Sequence, residues 1–469
     1  GLAASPVLRT QVKGYRKFFN AKDRRAKVAA MSSKISTAAQ MHTAVMSVLS
    51  GLKQLSPNGI IRAVLSSGTD LTGNDVYQSF VSYGADKPFW VMVTQACGYQ
   101  YTDGEDLSDL VAHIVFTAAS RTIRSDLLAG LERFISVPHQ TWCYDFVTDW
   151  LHSDRDEVLY RLIRDLEHEY RLADRFAKGE IEDLQNTECF PCINECILST
   201  LMNEIIDETV QAQTISAVVE RRRSMIWYDY VSCYYEGLQQ VANMMVFYQN
   251  HASAFHTVDA AEVWKEYTQD YYRMDTYYRL FHLEFRKSLH VLNSKLADSF
   301  KAVAEKVEGL YNHWFLSRLS ACWTNASETD LLNLGGFADV PQQEHFYDEK
   351  VRGADTRVFV IVSDALRYEV AAVLAEQLRR ETQSKVALES RQGIFPTITP
   401  YGMAALLPHY ILTVKQKDSG KLQVLADGQP TEAEDRETVL KAVNPNSVAL
   451  KYKDIIDLKR VERAALVNS

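Results

Sequence analysis

The sequence predicts an α + α/β protein, a large all-helical region followed by a doubly wound α/β region. Two observations carry this reading. First, none of the 11 prolines lies between Pro191 and Pro341, and only Gly179, Gly237 and Gly309 fall between Gly130 and Gly335. Proline and glycine punctuate regular structure, so a stretch so poor in them is helical. Second, beyond residue 356 the period changes from helical to strand-like, with VFVIV at 358–362 forming a continuous β-branched and aromatic run. The expected division is a helical part over 1–332, a linker over 333–356 and an α/β part over 357–469.

Composition sets the outer bounds. A chain of 469 residues that is 46% apolar and 24% charged is ordinary globular material, which excludes disordered and collagen-like classes. No stretch approaches the roughly 18 to 20 consecutive apolar residues of a membrane span, and no basic-then-apolar signal pattern opens the sequence. The expectation is a soluble, cytoplasmic protein. Charge separates the two parts. Residues 351–469 hold 17 basic against 15 acidic side chains, net +2, and residues 1–350 hold 34 against 45, net −11.

Taken in order, the first feature is a basic stretch. Arg9, Lys13, Arg16, Lys17, Lys22, Arg24, Arg25, Lys27 and Lys34 stand against Asp23 alone. Such a stripe suits nucleic acid phosphates or an acidic partner, and equally a solvated helix face. From Trp150 to Lys178, Leu151, Leu159, Leu162, Ile163, Leu166, Tyr170 and Leu172 alternate with dense charge, as in an exposed helix laced with ion pairs. Seven cysteines in scattered positions fit a reducing compartment better than a disulfide framework. Cys189, Cys192 and Cys196 form the one cluster. Three thiolates there could face one metal, but no fourth ligand accompanies them, and Pro191 marks a helix start with buried thiols. Arg221, Arg222 and Arg223 read as an anion contact or a solvated helix surface. Trp264, Tyr267, Tyr271, Met274, Tyr278, Phe281, Phe285, Leu289 and Leu292 recur in steps of three and four, an apolar stripe along a helix of about eight turns. Core packing is the expected role, ahead of base stacking.

Within 357–469, VFVIV, an Ala-rich amphipathic helix from about 365 to 380, and KVALES at 385–390 read as a βαβ unit. Its right-handed crossover places the loops after the strands on one edge. Two positions on that edge carry chemistry. Asp364 follows the first strand directly, so it either ligates a hard or borderline divalent cation or caps the following helix. Arg367, one turn on, could bind a phosphate oxygen or hold Asp364; pairing with Glu369 is disfavoured, because residues two apart face different ways. Thr399, before Pro400, is placed as an N-cap ahead of YGMAALL. A threonine hydroxyl becomes a nucleophile only when a base or cation lowers its pKa. Thr397 is the fallback.

The segments VIVSDALRYEVA (360–371) and FPTITPYGMAALLPH (395–409) together resemble the PglZ family, the alkaline-phosphatase-superfamily component of BREX phage-defence systems. FFNAKDRRAKV (18–28) resembles the stretch that follows that family's N-terminal domain. The resemblance implies that 357–469 is the first half of an alkaline-phosphatase-like doubly wound α/β domain. It makes Asp364 a metal ligand, and Thr399, as the second threonine of P-T-x-T, the nucleophile or metal-facing hydroxyl. A divalent metal is implied, zinc first, with manganese or magnesium as alternatives. The superfamily's later ligands, a histidine–aspartate pair and an Asp-His-Gly element, have no counterpart: no Asp-His dipeptide occurs, and His409 is the one histidine after residue 350. Opening on Gly1, the sequence is therefore expected to be an internal portion, inactive by itself. The implied function is a metal-dependent phosphoesterase, a phosphodiesterase or nuclease of antiphage defence. The alternative is a non-catalytic scaffold. Implied partners are other BREX components (methyltransferase, ATPase, small accessory proteins) and DNA, with no membrane.

Overall fold

The computed structural model describes residues 6–153, 156–256, 258–291, 294–337 and 339–468. The chain forms two compact units. The first comprises Gly1–Val246 and Leu280–Val307, the second Phe247–Arg279 and Glu308–Ser469. Among the described residues every strand lies between Leu412 and Pro430, so the long stretch poor in proline and glycine is helical as its composition requires. No helix among them is long and apolar enough to cross a membrane.

In the first unit the helix Leu107–Ala119 is buried nearly all round, the pattern of a helix at the centre of a core. Asp106 caps it, its carboxylate accepting the Leu107 N–H at 2.6 Å. Phe116 packs against Phe134, Tyr170 and Phe190 at ring separations of 5.4–5.6 Å. The basic stretch is partly consumed by the fold. Arg24 and Arg25 donate to the carbonyls of Phe18 and Phe19, and Lys17 to that of Ser82, satisfying acceptors that helix ends leave open.

Two readings need correction here. Trp150–Lys178 is not one helix: Gln140–Leu151, Asp156–Glu169 and Leu172–Phe176 follow one another, with Arg171 at φ 51° breaking the last junction. Its leucines are core, since Leu159, Ile163, Leu166 and Leu172 are all buried. In the arginine triplet Arg221 and Arg223 are exposed, as on a solvated face, and Arg222 departs from that reading. Arg222 is fully buried and donates to Asn194 Oδ1 and to the carbonyls of Gln185 and Thr187, Arg221 binds Asn186, and Arg223 pairs with Glu236 and Glu220. The cysteine run does open a helix, Pro191–Ile206. All three thiols are buried, and burial pushes Cys189 and Cys196 up to about 12, which disfavours the thiolate a metal needs.

The aromatic stripe runs through Ala260–Glu266, a π-helical turn Tyr267–Tyr271 and Tyr272–Ser288. Tyr271, Met274 and Phe281 are buried, and Trp264, Tyr267, Tyr278 and Phe285 are half-buried. Leu289 is 68% exposed, because the helix has already ended; Leu292 lies outside the described residues.

In the second unit the stretch expected as a linker contains buried residues at Phe337, Val340 and Tyr347 and is exposed over 352–356. Phe337 and Val340 are buried against Ala260, Trp264 and Trp323. A short parallel bridge joins Gln342 to Gln392, and the Gln342 and Gln392 side chains hydrogen-bond at 2.9 Å. The doubly wound parallel sheet expected in 357–469 is not what the described residues form. Neither 358–362 nor 385–390 pairs as a strand, and Ile361 is 91% exposed. A strand exists through its neighbours, and among the described residues none is hydrogen-bonded to these segments. The sheet that does form is an antiparallel meander: β1 (Leu412–Gln416), β2 (Leu422–Ala426) and β3 (Gln429–Pro430), with Leu412 opposite Ala426 and Ala426 opposite Gln429. The helix expected after 358–362 is present as Tyr368–Glu381.

Gly237, in the helix Ser232–His251, shows how closely the first unit is packed. A Cβ there would sit 2.6 Å from Cζ of the buried Phe300. Gly237→Val is expected to lower stability by about 2 kcal/mol, overpacking outweighing the small gain in helix propensity. Urea denaturation followed by circular dichroism measures it; an unchanged midpoint would refute the packing argument.

Candidate active site

Asp364 and Thr399, 35 positions apart in sequence, meet in the second unit. Thr399 Oγ1 donates to Asp364 Oδ2 at 3.2 Å, and both residues are exposed. The other carboxylate oxygen, Oδ1, accepts the N–H of Ala365 at 3.0 Å. Ala365 itself sits at φ 59°, a conformation that costs a residue with a Cβ on the order of 1–2 kcal/mol. Neither side chain performs the capping role open to it. The helix Tyr368–Glu381 has Arg367 as N-cap and the helix Thr399–Ala405 has Ile398, and neither helix has a side-chain cap bond. Asp364 therefore holds a tight turn and orients the threonine hydroxyl. Thr397 is exposed, and among the described residues it forms no bond to Asp364.

Arg367 is exposed at the start of its helix. Its positive charge favours the ionised forms of Tyr278 and Tyr311. Burial, with Glu308 beside Tyr278 and Asp275 beside Tyr311, outweighs it and pushes both phenols up, Tyr278 to about 12. These two rings stack at 3.7 Å. Tyr267 and Tyr311 donate to the two oxygens of Asp275 at 2.5 and 2.6 Å. Two π-helical segments, Tyr267–Tyr271 and Gly309–Leu316, present Tyr267 and Tyr311 to that carboxylate. Such bulges are frequent where a helix is shaped around a site.

Side chains that sequence reasoning did not find hold this arrangement. Glu369, fully buried, accepts from Arg279 Nε with both oxygens at 2.8 and 3.0 Å, and Thr276 Oγ1 lies at 3.4 Å. Tyr368 donates to the carbonyl of Thr268 at 3.0 Å. These contacts pin the first turn of Tyr368–Glu381, and with it Arg367 and Asp364. The loop before Thr399 is braced by Gln343, whose Nε2 donates to the Gly402 carbonyl at 3.2 Å and whose Oε1 accepts the Ile394 N–H at 3.3 Å. His409 is structural, its Nδ1 lying 2.7 Å from the carbonyl of Leu407.

Asp364 and Thr399 offer two oxygen donors. A tetrahedral zinc site takes about four ligands, and among the described residues no group of three or more His, Cys, Asp or Glu could hold an ion. The residues present thus do not make a metal site by themselves.

Residues 344–469 match the family model described as the BREX system PglZ alkaline phosphatase-like domain. The chain is 28% identical over 469 residues to the alkaline phosphatase-like protein PglZ of Bacillus cereus (strain H3081.97), an alignment covering 98% of this chain and 53% of that protein. It is 30% identical over 400 residues to the alkaline phosphatase-like protein BrxZ of Escherichia coli O9:H4 (strain HS), covering 82% and 45% respectively. The chain spans about half the length of these curated relatives. No solved structure matches it. It is a relative of the PglZ proteins, as the segments 360–371 and 395–409 indicated, and it carries their alkaline phosphatase-like domain over 344–469.

The Arg279–Glu369 pair generates a stability prediction. Arg279→Met leaves a buried carboxylate without its cation and is expected to cost about 3 kcal/mol, the low end for such losses because the Arg279 side chain is 36% exposed. Adding Glu369→Leu should recover most of that loss, since no buried charge then remains. Denaturant titration of the three proteins checks both; an additive double variant would show that the two residues do not act as a pair.

Proposed function

We propose that the protein is a phosphoesterase component of BREX antiphage defence, acting on phosphodiester bonds, with Thr399 as nucleophile. The observation that supports this most is the Thr399–Asp364 hydrogen bond, in a domain whose family is alkaline phosphatase-like. A hydroxyl spent on capping has its oxygen turned to backbone N–H groups. Here its hydrogen is directed at a carboxylate, and its oxygen is left available for attack. In-line attack by Oγ1 on phosphorus would form the Oγ1–P bond as the leaving alkoxide departs, giving a phosphothreonine that water hydrolyses. Arg367 is assigned to the non-bridging phosphoryl oxygens, whose charge its guanidinium matches.

A divalent cation, zinc first, with manganese or magnesium as alternatives, would supply the hydroxyl activation and charge neutralisation that such reactions draw on. Asp364 and Thr399 are the two donors this chain offers it. The functional division retained is a helical part over 1–332, a connecting segment over 333–356 and the hydrolase-like part over 357–469. Within the defence system the partners proposed are its methyltransferase, ATPase and small accessory proteins, with DNA as the substrate polymer and the cytoplasm as the compartment.

Phosphate-ester hydrolysis by the full-length protein with zinc or manganese tests this. Thr399→Ala should lower turnover by at least about 100-fold, the scale on which removal of a nucleophile registers, and Thr397→Ala should leave it within about twofold. Equal losses from both, or full activity of Thr399→Ala, would remove Thr399 from its role.

A further inference from the structure

The first unit contains a cavity of about 380 Å³ where the start of the helix Pro191–Ile206 meets the helix Asp156–Glu169 and the turn around Trp227. Its size lies in the range of small-molecule sites. One wall is aromatic. Tyr160 and Tyr230 lie parallel, 4.8 Å apart and 4° from coplanar, and Trp227 meets both edge-on at 5.3 and 5.9 Å. Trp227 is held at φ 70°, with its indole N–H directed at the Cys189 carbonyl at 3.4 Å. A bulky side chain in that backbone region is rare and needs surroundings that fix it.

Asn194 lines the same cavity and is only 1% exposed. Its Oδ1 accepts from Arg222 Nε and from the Tyr235 hydroxyl, each at 3.0 Å. Two donors on one atom fix which end of the amide is oxygen, and Nδ2 is left buried without a partner among the described residues. A buried, unpaired NH₂ is costly unless an acceptor is supplied.

Charge decides what the cavity accepts. Arg164 and Lys295 are the cations lining it and Glu195 the carboxylate. Arg164 Nη1 already binds Glu195 at 2.9 Å and the buried Glu167 at 2.8 Å. Lys295 forms no ion pair or hydrogen bond among the described residues, so it is the cation there without a direct partner. An aromatic wall with a free carboxylate would select an organic cation. Here both carboxylates are engaged by Arg164 and the cation left without a direct partner is Lys295, which favours an anionic group on a ligand with a planar ring.

We propose that this cavity binds a nucleoside phosphate. The base lies against Tyr230, Tyr160 and Trp227, a ring nitrogen or carbonyl of the base accepts from Asn194 Nδ2, and the phosphate faces Lys295. This site shares no residue with the Asp364–Thr399 pair and stands whether or not that pair is catalytic.

Isothermal titration of the full chain with ATP, AMP, adenosine and inorganic phosphate tests the proposal. One-to-one binding of ATP or AMP is expected with a dissociation constant below roughly 1 mM, the weak end of specific affinity. Lys295→Ala should weaken the phosphorylated ligands about tenfold and adenosine less than about twofold; Tyr230→Ala should weaken every base-containing ligand about tenfold. Both substituted side chains are exposed, and circular dichroism confirms the fold of each variant. Absence of saturable nucleotide binding by the wild-type chain overturns the proposal. So does binding that neither variant alters, or inorganic phosphate binding as tightly as AMP, which would show an anion site without base recognition.

Discussion

The geometry of the candidate site rests on a carboxylate that water does not reach. Glu369 is fully buried, and an isolated charge there would be strongly disfavoured. It is kept by Arg279, which approaches both of its oxygens, with Thr276 alongside. The pair works as a locating pin, because the loss of either partner costs far more than the pair contributes over an apolar substitute. Such a constraint tolerates one register of the helix Tyr368–Glu381 against its neighbour. Arg367 is then presented at the helix start and Asp364 three residues before it, in a turn that Ala365 completes at positive φ. The Gln343 bridge to Ile394 and Gly402 sets the second half of the site. A 3.2 Å contact between two exposed side chains therefore depends on buried polar groups that never touch it.

That dependence explains what was legible in the sequence. Local signals mark Asp364, Thr399 and Arg367 as candidates: a carboxylate after an apolar run, a Thr-Pro pair before small residues, and the two segments that resemble the PglZ family. Glu369 was set aside, since its visible neighbour in sequence, Arg367, points elsewhere, and its real partner lies 90 positions upstream. Pairing across such a distance has no periodicity to betray it. The helical part was legible for the opposite reason, helices being made of contacts three and four residues apart. Strands are made of remote partners. VFVIV has every property of a buried strand, yet among the described residues no neighbour is hydrogen-bonded to it, and it stays exposed.

The same contrast appears in the first unit. Three consecutive arginines suggested a surface, because charge clusters are usually solvated. Arg222 instead became the interior of a polar network with Asn194, Tyr235 and two carbonyls. Its guanidinium meets acceptors through Nε and Nη1, while Nη2 is buried without a partner among the described residues. The network also fixes the Asn194 amide, leaving its NH₂ unpaired beside the aromatic wall. A group that the fold holds in an unsatisfied state is better explained by something it meets than by the packing that surrounds it.

Thr399 brings these arguments together. A threonine at a helix start has two competing acceptors and donors within reach: the free backbone N–H groups of the first turn and any nearby carboxylate. An N-cap hydroxyl would stabilise a helix by about 1 kcal/mol, but Thr399 stands at the first helical position with Ile398 at the N-cap. The hydroxyl goes to Asp364, which likewise does not cap the helix that follows it. The two helices have Arg367 and Ile398 at their N-caps, and Asp364 and Thr399, which stand beside those positions, bond to each other. Stability alone does not favour that choice, since an exposed hydroxyl–carboxylate bond contributes little in water. The contact is set instead by the turn that Ala365 completes and by the loop that Gln343 braces, which hold the hydroxyl against the carboxylate whatever that bond contributes to stability.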